Sequence, residues 1–210
     1  MSGWLTCGNC GNSGATGPTA TYAMTRGISL PSEAGSSAEF AISGTSPYVN
    51  AYWYIEHPPI ATQINALTYQ LDIYVPAGFE SAPQAIEFEC QQRLSGWVYN
   101  FAWQANYAGG AWRIFDYVNS RWDDSGIPLQ KFSPDTWHHI VAEYHTNTVQ
   151  KVYVHDALTV DGVRYPVNKI HNAKDTGNMT DEFTNAFQLD TNSVPQAYHV
   201  FVDRMKVTVQ

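Results

Sequence analysis

A chain of 210 residues, 44% hydrophobic and only 14% charged, holds enough apolar material for one domain with a full core and is too apolar to be disordered. Its 11 Lys and Arg stand against 19 Asp and Glu, leaving a net charge of −8 and no basic block, so nucleic acid is not an expected partner. No apolar run approaches the ~18–20 residues of a membrane span, so no membrane insertion is expected either.

In chain order, "MSGWLTCGNC" has neither the charged start nor the apolar stretch of a signal peptide. Residues 1–27 are rich in Gly, Ser, Thr and Asn and read as coil or an edge strand, with one strand near Ala20–Met24. Cys7-Gly-Asn-Cys10 has no second CxxC to complete a zinc site. It reads as a local disulfide of a secreted chain, with free thiols as the alternative. Residues 28–210 read as a single domain, because no linker or repeat interrupts them.

Strand signals then recur throughout. "SSAEFAIS" puts Ala38, Phe40 and Ile42 on one face. "AYWYIEH" (51–57) carries Trp53 near a turn. "LTYQLDIYV" alternates Leu67, Tyr69, Leu71, Ile73 and Val75 with polar residues. "AIEFECQQR" turns Ile86, Phe88 and Cys90 inward and sets Glu87, Glu89, Gln91 and Arg93 opposite them. Cys90 is expected to be an inert buried thiol.

After an "RLSG" turn, "GWVYNFAWQANY" places Trp97, Tyr99, Phe101 and Trp103 on one parity and Asn100, Gln104 and Asn106 on the other. Pairing these two strands would set carboxylates and amides in ranks, a surface suited to sugar hydroxyls. "GGAWRIFDYVNSRWDD" adds Trp112, Tyr117 and Trp122 near turns. Trp53, Trp97, Trp112 and Trp122 are thus candidate stacking platforms for pyranose rings.

"WHHIVAEYH" carries His139, Glu143 and His145 on one parity. The two histidines lie about 20 Å apart along a strand, too far to share an ion. The segment 171–186 reads as one short helix or a loop. In the last strand Val200 and Val202 share a face and then Met205, Val207 and Val209 do, which predicts a bulge near Asp203–Arg204. Period-2 patterning throughout defines an all-β fold of two packed antiparallel sheets.

"DTWHHIVAEYHTNTVQKVYVHDALTVDGVRYPV" (135–167) resembles a laminin-G-like segment, and "YHVFVDRMKVTV" (198–209) resembles that family's closing strand. Asp161-Gly162 sits later than the family spacing has it. The resemblance implies a concanavalin A-like jelly-roll sandwich, a superfamily of glycan-active enzymes, lectins and carbohydrate-binding modules. It also implies a structural calcium site at Asp203, with no other cofactor required. Glu87-Phe88-Glu89-Cys90-Gln91-Gln92 is similar in part to the catalytic strand of the laminarinase–lichenase clan. Glu87 takes the nucleophile's place and Glu89 that of the supporting Asp, while Gln91 and Gln92 stand where the acid/base Glu belongs.

A hydrolase would therefore need its acid from another strand, with Glu143, Asp72 or Glu56 available. A polysaccharide lyase using His139 and Tyr144 is the weaker enzyme reading, because their opposite parity separates them. The expectation is an extracellular or periplasmic sandwich binding a polysaccharide or oligosaccharide in a concave groove through Gln91, Asn100, Gln104 and the tryptophans. The alternatives are an endo-acting glycoside hydrolase on a β-glucan and a structural cell-surface module. Oligomeric state is left open.

Overall fold

The computed structural model describes residues 3–10, 20–60 and 64–210. Residues 11–19, within the Gly-rich lead, lie outside the described residues. The strands are β1 (Leu5–Gly8), β2 (Thr21–Ile28), β3 (Ser37–Ser43), β4 (Asn50–His57), β5 (Ala66–Tyr74), β6 (Pro83–Leu94), β7 (Trp97–Asn106) and β8 (Ala111–Asp116). They continue as β9 (Arg121–Pro128), β10 (Trp137–Asn147), β11 (Val152–Val160), β12 (Val163–Asn172), β13 (Lys174–Asp175), β14 (Glu182–Thr191) and β15 (Tyr198–Val209). One sheet runs β1-β4-β14-β6-β7-β8-β9, with β13 paired to β7, and the other runs β12-β11-β10-β5-β15-β3-β2.

Alternation builds the core between the sheets. From the first sheet come Trp53, Phe88, Phe101, Trp103, Trp112 and Phe187, and from the second Phe40, Tyr69, Leu71, Ile140, Tyr144 and Val200, all buried. The rings interlock at angles aromatic pairs favour, with Phe40 on Phe187 at 4.8 Å and Phe101 on Tyr144 at 5.2 Å. The Tyr69 hydroxyl crosses the sandwich and donates to the Ala186 carbonyl on β14 at 3.1 Å.

The lead residues extend both sheets, β1 pairing with β4 and β2 with β3, and residue 28 lies within β2. Cys7 and Cys10 are joined in a disulfide, and Cys90 is a buried free thiol. The expected bulge is present: the β15–β5 register shifts between Asp203 and Lys206, with Arg204 at φ 47°. Of the helix or loop expected over 171–186, a loop is present at 176–181, between β13 and the start of β14, and nearly all the rest is strand.

The β6–β7 hairpin turns on Ser95 and Gly96, both at positive φ, a two-residue turn whose twist matches the strands. Glycine is required at position 96, because a Cβ there would lie 2.2 Å from the Gly177 carbonyl. This turn fixes Glu87 opposite Gln104 and Gln91 opposite Asn100, which sets the register of the cleft described next.

Candidate functional site

The outward face of β4, β14, β6, β7 and β8 forms the floor of an open cleft of about 640 Å³. Antiparallel register arranges that floor in rows. Tyr52, Gln188, Glu87, Gln104 and Arg113 make one row across five strands. Tyr54, Ala186, Glu89 and Ala102 make the next, and Glu56, Thr184, Gln91 and Asn100 the one after. Small alanines on both sides of Glu89 keep the middle row low. Aromatic side chains stand at both flanks. Tyr52 and Tyr54 pack at 5.4 Å on one side, and Phe115 packs on Trp122 at 5.0 Å and on Tyr117 at 6.0 Å on the other.

Carboxylates on the floor are held by amides. Gln104 Nε2 donates to Glu87 Oε1 at 2.6 Å, and Gln188 Nε2 donates to Glu87 Oε2 and to Asp190 Oδ1, both at 2.9 Å. Glu89 accepts from the Tyr52 hydroxyl and from Asn100 Nδ2. These contacts orient the amides: nitrogen meets carboxylate, and the carbonyl oxygen faces away. Among the described residues, Asn100 Oδ1 and Gln104 Oε1 are consequently buried with no hydrogen-bond partner, as is Asn50 Oδ1, whose Nδ2 donates to the Cys10 carbonyl.

Burial, and then the neighbouring Asp190, push the Glu87 carboxyl well above its usual range. Burial pushes Asp190 up to about 6. The Gln188 amide nitrogen bridges the two, holding them side by side so that each titrates under the influence of the other. Burial also raises Glu89, against the lowering effect of the Tyr52 and Asn100 hydrogen bonds. Burial and the Glu89 charge push the Tyr52 phenol far upward, so it remains a donor.

Of the residues singled out in the sequence, Glu87, Glu89, Gln91, Asn100, Gln104 and Trp122 all line the cleft. Trp53 and Trp112 do not. Strand parity turns both inward, where they are 0% and 2% exposed and offer no face to a ligand. Trp97 shares the inward parity at a strand end, packs against the core, and is covered by Lys151 Nζ at 5.4 Å.

Glu143 lies on β10 of the opposite sheet, ion-paired with Arg164 at 2.6 Å, and cannot serve as an acid in this cleft. Asp72 is likewise on that sheet, bound to His139 and Arg204. Only Glu56 of the three candidate acids lines the cleft.

Asp203 is not arranged for calcium. Its Oδ2 accepts from Ser32 Oγ and the Glu33 and Ala34 amides, and its Oδ1 from the Arg204 amide. Three donors saturate Oδ2 and a fourth takes one site of Oδ1, so the carboxylate is already committed to the protein's own hydrogen bonds. Although burial acts upward, these hydrogen bonds hold the carboxyl below its ordinary value. Asp203 anchors the loop before β3.

Asp190 and Gln188 went unrecognised in the sequence. Their strand, "EFTNAFQLDT", alternates correctly, with Thr184, Ala186, Gln188 and Asp190 outward. An outward Ala186 and an inward Asn185, which bonds His57 Nε2 at 2.6 Å, blur the pattern.

The chain folds as a jelly-roll β-sandwich of two antiparallel sheets. No family profile and no curated protein matches its sequence. Among solved structures, it is similar to one described as giving the structural basis for the promiscuous specificity of carbohydrate-binding modules from the β-sandwich superfamily. That alignment has a TM-score of 0.51 at 12% identity and covers 99% of this chain but 58% of the other, so the chain spans less than two thirds of that neighbour. A family 11 carbohydrate-binding module from Clostridium thermocellum, in complex with a β-1,3-1,4-mixed-linked tetrasaccharide, aligns over 99% of this chain and 89% of its own at TM-score 0.44 and 12% identity. The alginate lyase vAL-1 from a Chlorella virus aligns over 91% and 90%, at TM-score 0.49 and 12% identity.

Proposed function

We propose that the cleft binds a neutral polysaccharide or oligosaccharide without cleaving it. The observation that carries this reading is the floor of Glu87, Glu89, Gln91, Gln188 and Asp190, set in rows by strand register and flanked by ring faces on both sides. Such a floor calls for a ligand dense in hydroxyl donors. The tyrosines of β4 and the Phe115–Tyr117–Trp122 group supply ring faces for sugar C–H surfaces. Acidic glycans would meet five carboxyls, Glu56, Glu87, Glu89, Glu182 and Asp190, against two arginines, Arg93 and Arg113, so uronate polymers are disfavoured. The Cys7–Cys10 disulfide supports an extracellular or periplasmic setting. Among the described residues, no helix is long and apolar enough to cross a membrane.

Affinity electrophoresis against β-glucans, xylans, mannans and a uronate polymer tests the reading. Retardation by at least one neutral polymer, lost in Gln104→Ala, is the expected outcome. Retention only by the uronate polymer, or by none of the panel, would overturn it.

A second reading, hydrolysis, is favoured by the raised Glu87 and Asp190 carboxyls bridged by Gln188, since a protonated carboxyl beside an ionised one can serve as acid and base. Against it, Gln91 and Gln92 stand where the acid/base Glu of the resembling clan belongs, and of the candidate acids on other strands only Glu56 lines the cleft. Reducing-end release from the bound polymer, abolished in Glu87→Gln, would establish hydrolysis in place of simple binding.

A further inference from the structure

Outside the cleft, Asp116 at the end of β8, Asp123 on β9 and His171 on β12 each bring a ligand atom within 4.8 Å of the other two. The three come from both sheets. β9 closes one edge of its sheet and β12 one edge of the other, so the cluster sits at an edge of the sandwich, just before the chain passes from β12 to β13 on the first sheet.

His171 is 5% exposed, and among the described residues its Nε2 is buried with no hydrogen-bond partner. A ring nitrogen so placed lacks the contact that normally offsets its burial. Stacking on Tyr153, at 5.5 Å and 18°, fixes the plane of the ring. Asp116 is oriented as well, its Oδ1 accepting from the Asn119 amide at 3.0 Å and its Oδ2 from Asn119 Nδ2 at 2.6 Å. Each oxygen keeps a lone pair after one such bond.

We propose that Asp116, Asp123 and His171 form a binding site for one divalent transition-metal ion of the zinc class. One imidazole nitrogen and two carboxylate oxygens suit such an ion better than calcium or magnesium, which favour oxygen alone. Ligand atoms around a tetrahedral zinc stand about 3.3 Å apart, so the three close inward by about an ångström when the ion enters. A fourth position is left for water. Held second-neighbour contacts of the kind Asn119 makes with Asp116 are usual around such ions.

Other charges face the site. Arg121 Nε lies 2.8 Å from Asp123 Oδ1 and Lys169 Nζ 3.8 Å from its Oδ2, while the His155 ring sits 5.4 Å from that of His171. Arg121 and Lys169 are exposed enough to turn outward as the ion replaces them as counter-charge. The metal would then tie the β8–β9 hairpin to β12, and with it Phe115, Tyr117 and Trp122, the aromatic flank of the cleft.

The test is calorimetric titration of chelator-stripped full chain with zinc chloride, with calcium chloride as comparison, beside thermal melts. One zinc per chain is expected, with a raised Tm and no comparable response to calcium. Asp123→Asn, which keeps shape and exposure, should weaken zinc binding by about tenfold or more, as should His171→Gln. Circular dichroism confirms that each variant is folded, and Asp123→Asn carries the test if His171→Gln is not. Absence of zinc binding, binding of unchanged affinity in Asp123→Asn, or an equal response to calcium would overturn the proposal.

Discussion

The carboxyls of Glu87 and Asp190 hold a proton at pH values where free carboxylates have lost theirs. Both folded values are raised, so the native state binds more protons than the unfolded chain between the ordinary carboxylate range and about 6. Stability contributed by this pair is therefore fully present at acidic pH and falls as pH rises through that window. The slope is at most about 1.4 kcal/mol per pH unit for one proton. Urea unfolding from pH 4 upward should show the decline in wild type, and Asp190→Asn should flatten it; an unchanged slope would mean that Asp190 is not the group that takes up the proton on folding. At this scale the sequence was half legible. Parity sets Glu87 and Glu89 side by side, but the partner that raises Glu87 comes from a residue 103 positions downstream, across a strand pairing that no local pattern announces.

Hairpins decide which aromatic residues meet a ligand. Trp112 and Trp122 sit on neighbouring strands of one hairpin, and both lie near turns, yet one is core and the other is cleft wall. Nearness to a turn does not decide exposure; the direction of the strand's pleat does. Trp122→Ala should leave Tm within a few degrees of wild type and weaken glycan binding severalfold. Trp112→Ala should cost about 3–5 kcal/mol of stability, read by denaturant unfolding, because it opens a large cavity beneath Phe88 and Trp103. The strands themselves were legible wherever inward positions are consistently apolar, as in β5 and β6. β14 was hidden by Asn185 and Ala186, which invert the usual pattern at its centre.

For the molecule as a whole, a net charge of −8 and a cleft of acceptors and carboxyls leave little electrostatic attraction to offer. Binding of a neutral glycan should accordingly be nearly independent of salt. Calorimetry between about 50 and 500 mM sodium chloride should return dissociation constants agreeing within about twofold, whereas a steep loss of affinity would indicate a charged ligand. The two-sheet architecture was legible from period-2 alternation alone. Strand order was not, because β14 enters between β4 and β6, and long-range pairing leaves no mark in a local window. One bond already described bears on how the cleft recognises its ligand. The Tyr69 hydroxyl, rooted in the opposite sheet, grips the carbonyl of Ala186 directly under the cleft floor. A guest pressing on that floor cannot bend it without stretching a contact anchored on the far side of the core. The binding surface is thus pre-stiffened, so little conformational freedom remains to be lost on association, and selection rests on the fit of a rigid mould rather than on yielding around the guest.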